Sequence, residues 1–148
     1  MIKNKFRVWD RKKRVMCNVC HLNQSKTGID SGLVFRMGDK PDRCLMVGLL
    51  DGENGVLMQY TGIKDKNGNE IYEGDVIVIQ NDLHESFVEG NPADLWEIVW
   101  NQEALTYWLE HHDKYTHKDS EYVSDLIVDG HLDGEVIGNI YENPELLK

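Results

Sequence analysis

The sequence predicts a mainly β protein (β-rich α+β) that is built from hairpins and carries one short helix and a C-terminal helical turn. Three observations support this class. Residues 3–9 alternate between polar and apolar side chains with the period of two that a half-buried strand requires. Asn67-Gly68 separates two strand-like segments, and this dipeptide is a strong hairpin signal. Residues 76–79 are all β-branched, which favours a strand that is covered on both faces.

The N-terminal segment predicts a first hairpin and then a loop-rich stretch. Residues 10–13 indicate a turn, and residues 14–20 indicate a return strand that pairs with the strand at 3–9. Residues 23–43 are rich in Ser, Gly, Asp and Lys, which is typical of loops. The apolar triplet at 33–35 interrupts them and predicts one short strand.

The middle of the chain predicts the clearest hairpin. Residues 57–60 and 70–72 are strand-like and flank a turn that contains Asn67-Gly68. Asn-Gly accepts positive φ at both central positions of a tight turn, so we expect positive φ at both residues. Thr61-Gly62 and Glu73-Gly74-Asp75 are predicted as further tight turns around this hairpin.

The following region predicts a second hairpin and the short helix. Residues 96–110 alternate as two strands with a turn at 101–103. Residues 111–120 are polar, contain three histidines and predict an exposed excursion. Residues 121–128 predict the helix, because their apolar side chains have helical spacing and Ser120 can cap the first turn.

The C-terminal end predicts a last strand at 135–141 and one helical turn. Gly138-Asn139 lies inside this strand and indicates a bulge or a close approach of another segment to the backbone. Asn143-Pro144 is typical of a helix start, with Asn at the cap and Pro at the first helical position. We therefore expect a helical turn through Leu147.

The formal net charge of −10 on 148 residues is unevenly divided along the chain. Residues 1–26 carry 8 basic side chains and 1 acidic one, a net of +7, whereas the remainder carries 8 basic and 25 acidic ones, a net of −17. The acidic remainder disfavours nucleic-acid binding over the whole surface. The basic segment is either an ion-paired strand pair on a solvated face or a surface that docks on an acidic partner or a polyanion. The candidate interaction residues are its cations Lys3, Lys5, Arg7, Arg11, Lys12, Lys13 and Arg14.

Three cysteines and one histidine are candidate metal ligands. Cys17, Cys20, Cys44 and His21 offer the thiolate and imidazole groups that zinc prefers. Structural zinc sites usually recruit a second close pair, whereas Cys44 stands alone and His21 directly follows Cys20. The sequence therefore favours cysteines that pack as small apolar side chains. We predict no metal or other cofactor, and zinc binding stays as an alternative.

The sequence predicts neither a membrane-spanning segment nor a signal peptide. The longest apolar run, residues 44–50, is far shorter than the ~20 residues that span a bilayer, so no membrane contact is predicted. A signal peptide needs an apolar segment after its first basic residues, but here the charged and mixed segment FRVWD (6–10) follows the first lysines. Together with cysteines that cannot all pair within the chain, this predicts a cytoplasmic protein.

No named catalytic motif is present in the sequence. It contains no phosphate-binding glycine loop, dinucleotide fingerprint, nucleophile elbow or His-Glu-x-x-His metal motif. Trp96, Trp100, Tyr107 and Trp108 have the composition of a base-stacking platform. However, residues 80–148 carry 3 basic and 16 acidic side chains, a net of −13, and this field would repel phosphates. Core packing or an apolar subunit interface is the favoured interpretation of these aromatics, and no enzymatic activity is predicted.

Three segments of the chain resemble the YopX family, a family of small bacteriophage and prophage proteins. They are FRVWD at 6–10, LMQYTGIKDKNGNEIYEGDV at 57–76 and EVIGNIYENPELL at 135–147. The middle and final segments are long and specific, and together the three bracket almost the whole chain. The cysteine cluster and the histidine-containing excursion fall outside them, which argues against either being a family-wide site.

The resemblance implies a small barrel-like β core, homo-oligomers, no assigned biochemical role and no catalytic residues to carry over. We expect a single domain over 1–148, with a basic N-terminal strand pair (1–22), a loop-rich segment (23–56) and a β core (57–148). The favoured function is a non-enzymatic phage or prophage accessory protein that acts as a homo-oligomeric binding module, with an unidentified host or phage protein as a further partner. The alternatives are nucleic-acid binding through the basic segment and zinc binding through Cys17, Cys20 and Cys44.

Overall fold

The computed structural model describes residues 5–25, 28–36, 45–47, 54–79, 95–111, 120–122 and 127–147. Within these ranges the chain forms strands and ends in a 3₁₀ helix (Pro144–Leu147). The strands are β1 (Phe6–Asp10), β2 (Val15–Ser25), β3 (Gly28–Arg36), β4 (Leu45–Val47), β5 (Gly55–Lys64), β6 (Glu70–Tyr72), β7 (Asp75–Val78), β8 (Leu95–Asn101), β9 (Thr106–His111), β10 (Ser120–Tyr122), β11 (Ile127–Val128), β12 (His131–Leu132) and β13 (Glu135–Asn139).

Most of these strands belong to two curled antiparallel sheets, which confirms the predicted β-rich class. One sheet has six strands in the order β4-β3-β2-β1-β5-β6, and the other has five in the order β10-β9-β8-β7-β13. β11 and β12 form a separate two-stranded hairpin. Neighbours in sequence are mostly neighbours in the sheets, as expected of a fold built from hairpins.

The chain divides into two compact units, Met1–Tyr60 and Thr61–Lys148, and each has its own buried cluster. In the first unit, Val8 and Cys17 are buried together with apolar neighbours on β2 and β5. Burying one aliphatic core side chain stabilises a fold by about 1.5–3 kcal/mol. The larger cluster, in the second unit, consists of Ile71, Ile77, Ile79, Trp96, Ile98, Leu109 and Leu132.

The first hairpin is confirmed, and the loop-rich stretch after it contains more strand than predicted. β1 and β2 pair antiparallel around a turn at 11–14, one residue later than expected. The short strand predicted at 33–35 lies within the longer β3, and β2 extends to Ser25, so the loop prediction is wrong for residues 23–25, 28–32 and 36. β3 pairs with β2 along its length, and this long-range ladder overrides the loop-like composition. Residues 26–27 and 37–43 lie outside the described part.

The hairpin around Asn67-Gly68 is confirmed, but its turn differs from the predicted one. Gly68 has positive φ (+85°), whereas Asn67 does not. The Asp65 N–H donates to the Asn69 carbonyl at 2.9 Å, and the Gly68 N–H donates to the Asp65 carbonyl at 3.0 Å. This is the pattern of a type I turn followed by one left-handed residue. The prediction of two positive φ angles is wrong because the Asp65 carboxylate accepts the Asn67 N–H at 2.9 Å and holds that residue in the type I geometry.

The two flanking turn predictions have different outcomes. Thr61-Gly62 is not a turn, because both residues lie inside β5, where Gly62 has φ +90°. The Thr61 hydroxyl donates to the Ile71 carbonyl at 2.9 Å and so keeps this irregular strand segment attached to β6. The turn at residues 73–74 is confirmed: it connects β6 to β7, and Gly74 has φ +78°.

The second hairpin is confirmed as β8 and β9, with Ile98 opposite Leu109. Its turn comprises residues 102–105. Of the excursion predicted at 111–120, the first residue ends β9 and the last begins β10, and residues 112–119 lie outside the described part.

The helix predicted at 121–128 is wrong in the residues that the structure describes. Ser120–Tyr122 form β10 and Ile127–Val128 form β11, while residues 123–126 lie outside the described ranges. β11 pairs with β12 through the dipeptide Asp129-Gly130, whose φ angles of +50° and +82° are both left-handed. Asp-Gly is a hairpin signal of the same kind as Asn-Gly, and here it overrides the helical spacing of the apolar residues before it.

The C-terminal predictions are confirmed at the bulge and at the helical turn. β13 pairs with β7, and its register shifts between Val136 and Gly138, which leaves Ile137 in a bulge. A Cβ atom on Gly138 would lie 2.6 Å from Leu146 Cδ1 and 2.7 Å from Asn143 Oδ1. The 3₁₀ turn therefore packs closely on the strand, and a side chain at position 138 would require Leu146 and Asn143 to move.

We expect Gly138→Ala to lower the free energy of unfolding by about 1–3 kcal/mol, the usual cost of overpacking a well-filled site. Urea unfolding measures this cost. Leu146→Ala removes the methyl group that the new Cβ would meet, so the double variant should lose less stability than the two single losses added together. Additive losses would show that close packing is not the reason for glycine at this position.

Candidate functional site

The basic turn, residues 11–14, is the most distinctive surface feature among the sequence-predicted interaction residues. All four of its residues, Arg11, Lys12, Lys13 and Arg14, are exposed. They connect β1 to β2 and therefore stand at the end of an antiparallel hairpin. Four consecutive cations are thus presented to solvent at one point of the molecule.

Asp10 holds the backbone of the basic turn. This residue is only 7% exposed, and its Oδ1 accepts the Lys13 N–H at 2.8 Å. Its carbonyl accepts the Arg14 N–H at 2.7 Å, and Arg14 adopts a left-handed φ of +54°. The Arg11 N–H donates to the Asn54 carbonyl at 3.1 Å, which ties the turn to the segment before β5. Lys13 Nζ also lies 3.7 Å from Asp10 Oδ2. The turn is therefore a defined structure whose exposed side chains are cations.

The other predicted interaction residues lie apart from the turn. Lys5 Nζ is 5.5 Å from the centroid of the Tyr60 ring, a cation–π distance, and the Tyr60 N–H donates to the Lys5 carbonyl at 2.9 Å. Arg7 is half-buried within β1. Lys3 lies outside the described residues. Of the seven candidates, the four in the basic turn are the ones that the structure brings together.

Charge is divided between the two compact units. Residues 1–60 contain 11 basic and 6 acidic side chains, a net of +5. Residues 61–148 contain 5 basic and 20 acidic side chains, a net of −15. The charge asymmetry seen along the sequence is therefore an asymmetry between two folded units.

The candidate metal ligands do not converge in the described part of the chain. Cys17 is buried beside Val8, while His21 is exposed. Cys20 lies on β2 three residues after Cys17. Cys44 lies outside the described residues. Within the described ranges, no group of three or more His, Cys, Asp or Glu residues is placed to hold a metal ion.

The four aromatics that could have formed a stacking platform are divided between the core and the surface. Trp96 is buried in the core of the second unit, and Trp108 is half-buried. Trp100 is 42% exposed and makes an edge contact with Tyr107, with ring centroids 5.0 Å apart. Burial, and then the charge of Glu73, raise the pKa of Tyr107 to about 12, so this phenol stays neutral at pH 7.

Sequence reasoning missed Leu105, which we expected in a strand. It lies in the turn between β8 and β9, has φ +53° and is 72% exposed. No local signal identifies it, because the alternation of residues 105–109 places Leu105 in the second strand.

The family-like segment at 57–76 contains a carboxylate that is fully removed from solvent, that of Asp65. Its Oδ1 accepts the N–H groups of Asn67 (2.9 Å) and Asn69 (2.8 Å). Its Oδ2 accepts the Asn69 amide at 2.9 Å and the Val136 N–H on β13 at 3.1 Å. The neighbouring Lys66 N–H donates to the Gly134 carbonyl at 3.1 Å. The carboxylate thus shapes the hairpin loop and joins it to β13.

A second buried carboxylate, that of Asp75, joins the same segment to the C-terminal one. Asp75 Oδ2 accepts the Tyr72 N–H at 2.8 Å, and Oδ1 accepts the Asn139 amide at 3.2 Å. Asn139 Oδ1 in turn accepts the Tyr141 N–H at 3.0 Å. The Gly74 carbonyl accepts the Ile140 N–H at 3.0 Å. The middle and final family-like segments therefore meet around these two aspartates.

These contacts assign the aspartates a structural role. Burial raises the pKa of Asp65, but the hydrogen bonds from Asn69, Val136 and Asn67 outweigh it, so the pKa lies below the ordinary value of 3.8. Four donors occupy the two oxygens, which is the full capacity of a carboxylate. Asp65 consequently has no open position for a cation or for a proton-transfer partner.

A family model and a solved structure are similar to this chain over nearly its whole length. The family model described as "YopX protein" matches residues 5–148. The crystal structure of protein EF1440 from Enterococcus faecalis is similar over 100% of both chains, with 27% sequence identity and a TM-score of 0.63. No curated protein is significantly similar to the chain. Among the described residues, no helix is long and apolar enough to cross a membrane.

We expect the stability contributed by Asp65 to be lost in acid. Because its pKa is lower in the folded state, this stability is complete above the ordinary pKa of 3.8 and disappears as pH falls through the folded-state value. Asp65→Asn should lower the free energy of unfolding by about 2–4 kcal/mol at pH 7. The NH₂ group of the new amide would face N–H groups, which cannot accept a hydrogen bond from it. The free energy of unfolding of this variant should also depend less on pH below 4 than that of the parent protein.

Chemical unfolding followed between about pH 2.5 and pH 7 measures both effects. Asp129→Asn is the matched control, because it makes the same change at an exposed turn of the same unit and should unfold like the parent protein. Equal losses in the two variants would contradict the role assigned to Asp65.

Proposed function

This chain belongs to the YopX family, and from that premise we propose that it is a non-enzymatic accessory protein of a bacteriophage or prophage. Its role is binding, and it acts as a homo-oligomer in the cytoplasm of the bacterial host. The observation that carries this proposal is the basic turn, in which four consecutive exposed cations stand on a hydrogen-bonded hairpin end. The two buried aspartates serve the fold of the second unit, whereas the cations of the basic turn are exposed.

Self-association is supported by the charge difference between the two units. A unit of net +5 and a unit of net −15 on one chain attract the opposite unit of another copy. A single exposed ion pair contributes only about 0–1 kcal/mol, so a useful contact needs several cations acting together. The basic turn provides such a group within four residues.

We expect self-association that weakens with salt, because exposed charge pairs are screened as the Debye length falls from about 10 Å at 0.1 M to about 3 Å at 1 M. Sedimentation velocity at tens of micromolar protein should show oligomers at low salt and a shift toward monomer at high salt. The paired change Lys12→Glu and Arg14→Glu should produce that shift already at low salt.

The matched control is Lys64→Glu with Lys66→Glu, which makes the same change in net charge at two exposed cations of the second unit. This control should assemble at least as well as the parent protein, because it adds negative charge to the unit that attracts the basic turn. A monomer under all conditions, or an oligomer that ignores both salt and the turn variant, would contradict the proposal.

Nucleic-acid binding through the same turn is the second candidate function, favoured by the four consecutive exposed cations at the end of the β1–β2 hairpin, which can neutralise phosphates. A mobility-shift assay with short duplex and single-stranded DNA tests it. If all four turn residues contact phosphates of a duplex, the slope of log K against log salt should be roughly −3.6. Changing residues 11–14 to Ala should abolish binding, and binding that survives this change would reject the turn as the contact.

A further inference from the structure

The turn between β8 and β9 presents apolar side chains to solvent. We call Trp100, Leu105 and Tyr107 the apolar tip. Leu105 is 72% exposed, the highest value among the large apolar residues in the described ranges, and Trp100 is 42% exposed. Single exposed apolar residues are ordinary, but the β8–β9 hairpin exposes two large ones, Leu105 in its turn and Trp100 one residue before the last ladder pair, Asn101–Thr106.

Leu105 lies in a turn whose backbone is held by the side chain of another residue. The backbone is set by Asn101, whose Oδ1 accepts the N–H groups of Glu103 at 3.0 Å and Ala104 at 2.8 Å. Leu105 itself occupies the left-handed region with φ +53°, where glycine would be free of strain. A bulky apolar residue is therefore held in an unfavourable backbone conformation and an unfavourable solvent environment. Neither feature helps the isolated fold, which indicates that the side chain serves a contact.

Trp100 is a positioned side chain. Trp100 and Tyr107 are opposite each other on β8 and β9, and their rings meet edge to face with an interplanar angle of 69°. Tyr107 is in turn packed against the core of the second unit. An aromatic ring held in this way loses little conformational entropy on binding, which is the property of the residues that dominate interfaces.

The surroundings of the apolar tip are acidic. Glu103 is exposed within the same turn, and the charge of Glu73 acts on Tyr107. The apolar tip belongs to the unit whose net charge is −15. A complementary surface must therefore combine cations with planar or aliphatic groups that can lie on Trp100 and Leu105.

The basic turn meets this requirement. An Arg guanidinium stacks on Trp while its charge attracts nearby carboxylates, and Lys and Arg both carry long aliphatic stems. Arg11, Lys12 and Arg14 offer these groups at the end of one hairpin. The same chain thus carries one basic hairpin end and one apolar hairpin end with acidic surroundings.

We propose that the apolar tip of one copy docks on the basic turn of a second copy. This inference rests on the proposed function, because it names the surface that the basic turn contacts. The two surfaces differ, so the contact is heterologous and leaves one basic turn and one apolar tip open in each pair. Assembly then continues until it closes into a ring or extends as a chain.

The first test is Leu105→Gly, measured by sedimentation equilibrium and by thermal unfolding. Glycine removes the docking side chain and relieves the backbone strain, so the variant should unfold at the parental temperature or above it while its association constant falls on the order of tenfold. Leu105→Met should keep parental association. The control Ile137→Thr removes another exposed apolar side chain, at the β13 bulge, and should also assemble like the parent protein.

The second test mixes two assembly-defective variants. Leu105→Gly retains an intact basic turn, and Lys12→Glu with Arg14→Glu retains an intact apolar tip, so an equimolar mixture should form a 1:1 pair that neither variant forms alone. A mixture that stays monomeric would overturn the inference.

The two proposals fail in different ways. If the turn variant prevents assembly and Leu105→Gly does not, the basic turn docks elsewhere and only the inference falls. If Leu105→Gly prevents assembly and the turn variant does not, the apolar tip contacts another surface, and both the inference and the assigned role of the basic turn fall. If the parent protein is a monomer at every concentration and salt tested, the proposed function fails first.

Discussion

The fold of the second unit depends on one buried carboxylate whose hydrogen bonds are all satisfied. Asp65 sits at the start of the 65–69 loop and accepts four hydrogen bonds, three from the loop itself and one from Val136, which lies 71 residues further along the chain. An ionised group with no exposed surface is tolerated only when donors replace the water that it has lost. The requirement works in both directions, because the loop and β13 must be in place for the carboxylate to be stable.

The buried polar side chains of the second unit serve its fold. Asp65, Asp75 and Asn139 make the family-like segments adhere to one another, and their polar atoms are committed to other protein groups. Two hairpin ends stand out, the basic turn at 11–14 and the apolar tip around Leu105. Each is fixed by an Asp or Asn side chain that caps the backbone of its own turn, at Asp10 and Asn101.

Local patterns in the sequence predict the features that local physics controls. Period-two alternation predicts β1, the Asn67-Gly68 dipeptide predicts its hairpin, and Gly138-Asn139 predicts the bulge. Asp129-Gly130 is a hairpin signal of the same kind, and its two left-handed φ angles form the β11–β12 turn in place of the helix that the apolar spacing predicts. Features that depend on distant partners could not be predicted. The role of Asp65 requires Val136, and no local pattern links them.

The candidate site was predictable in part for the same reason. A run of four cations next to a turn-forming Asp10 is visible in the sequence, and the structure places the run in an exposed turn. The exposure of Leu105 was not predictable, because strand alternation from 105 to 109 reads equally well with this residue facing a core. Only the register of β8 with β9 places Leu105 beyond the ladder, in the turn.

Contact between the two hairpin ends of neighbouring copies should protect both from solvent. Hydrogen exchange by mass spectrometry tests this most directly, with dilute and concentrated protein compared at low salt. We expect slower amide exchange on concentration in peptides that cover both 11–14 and 101–105, with the two segments changing together. Slower exchange confined to other segments, or no change at either hairpin end in protein that has associated, would contradict it.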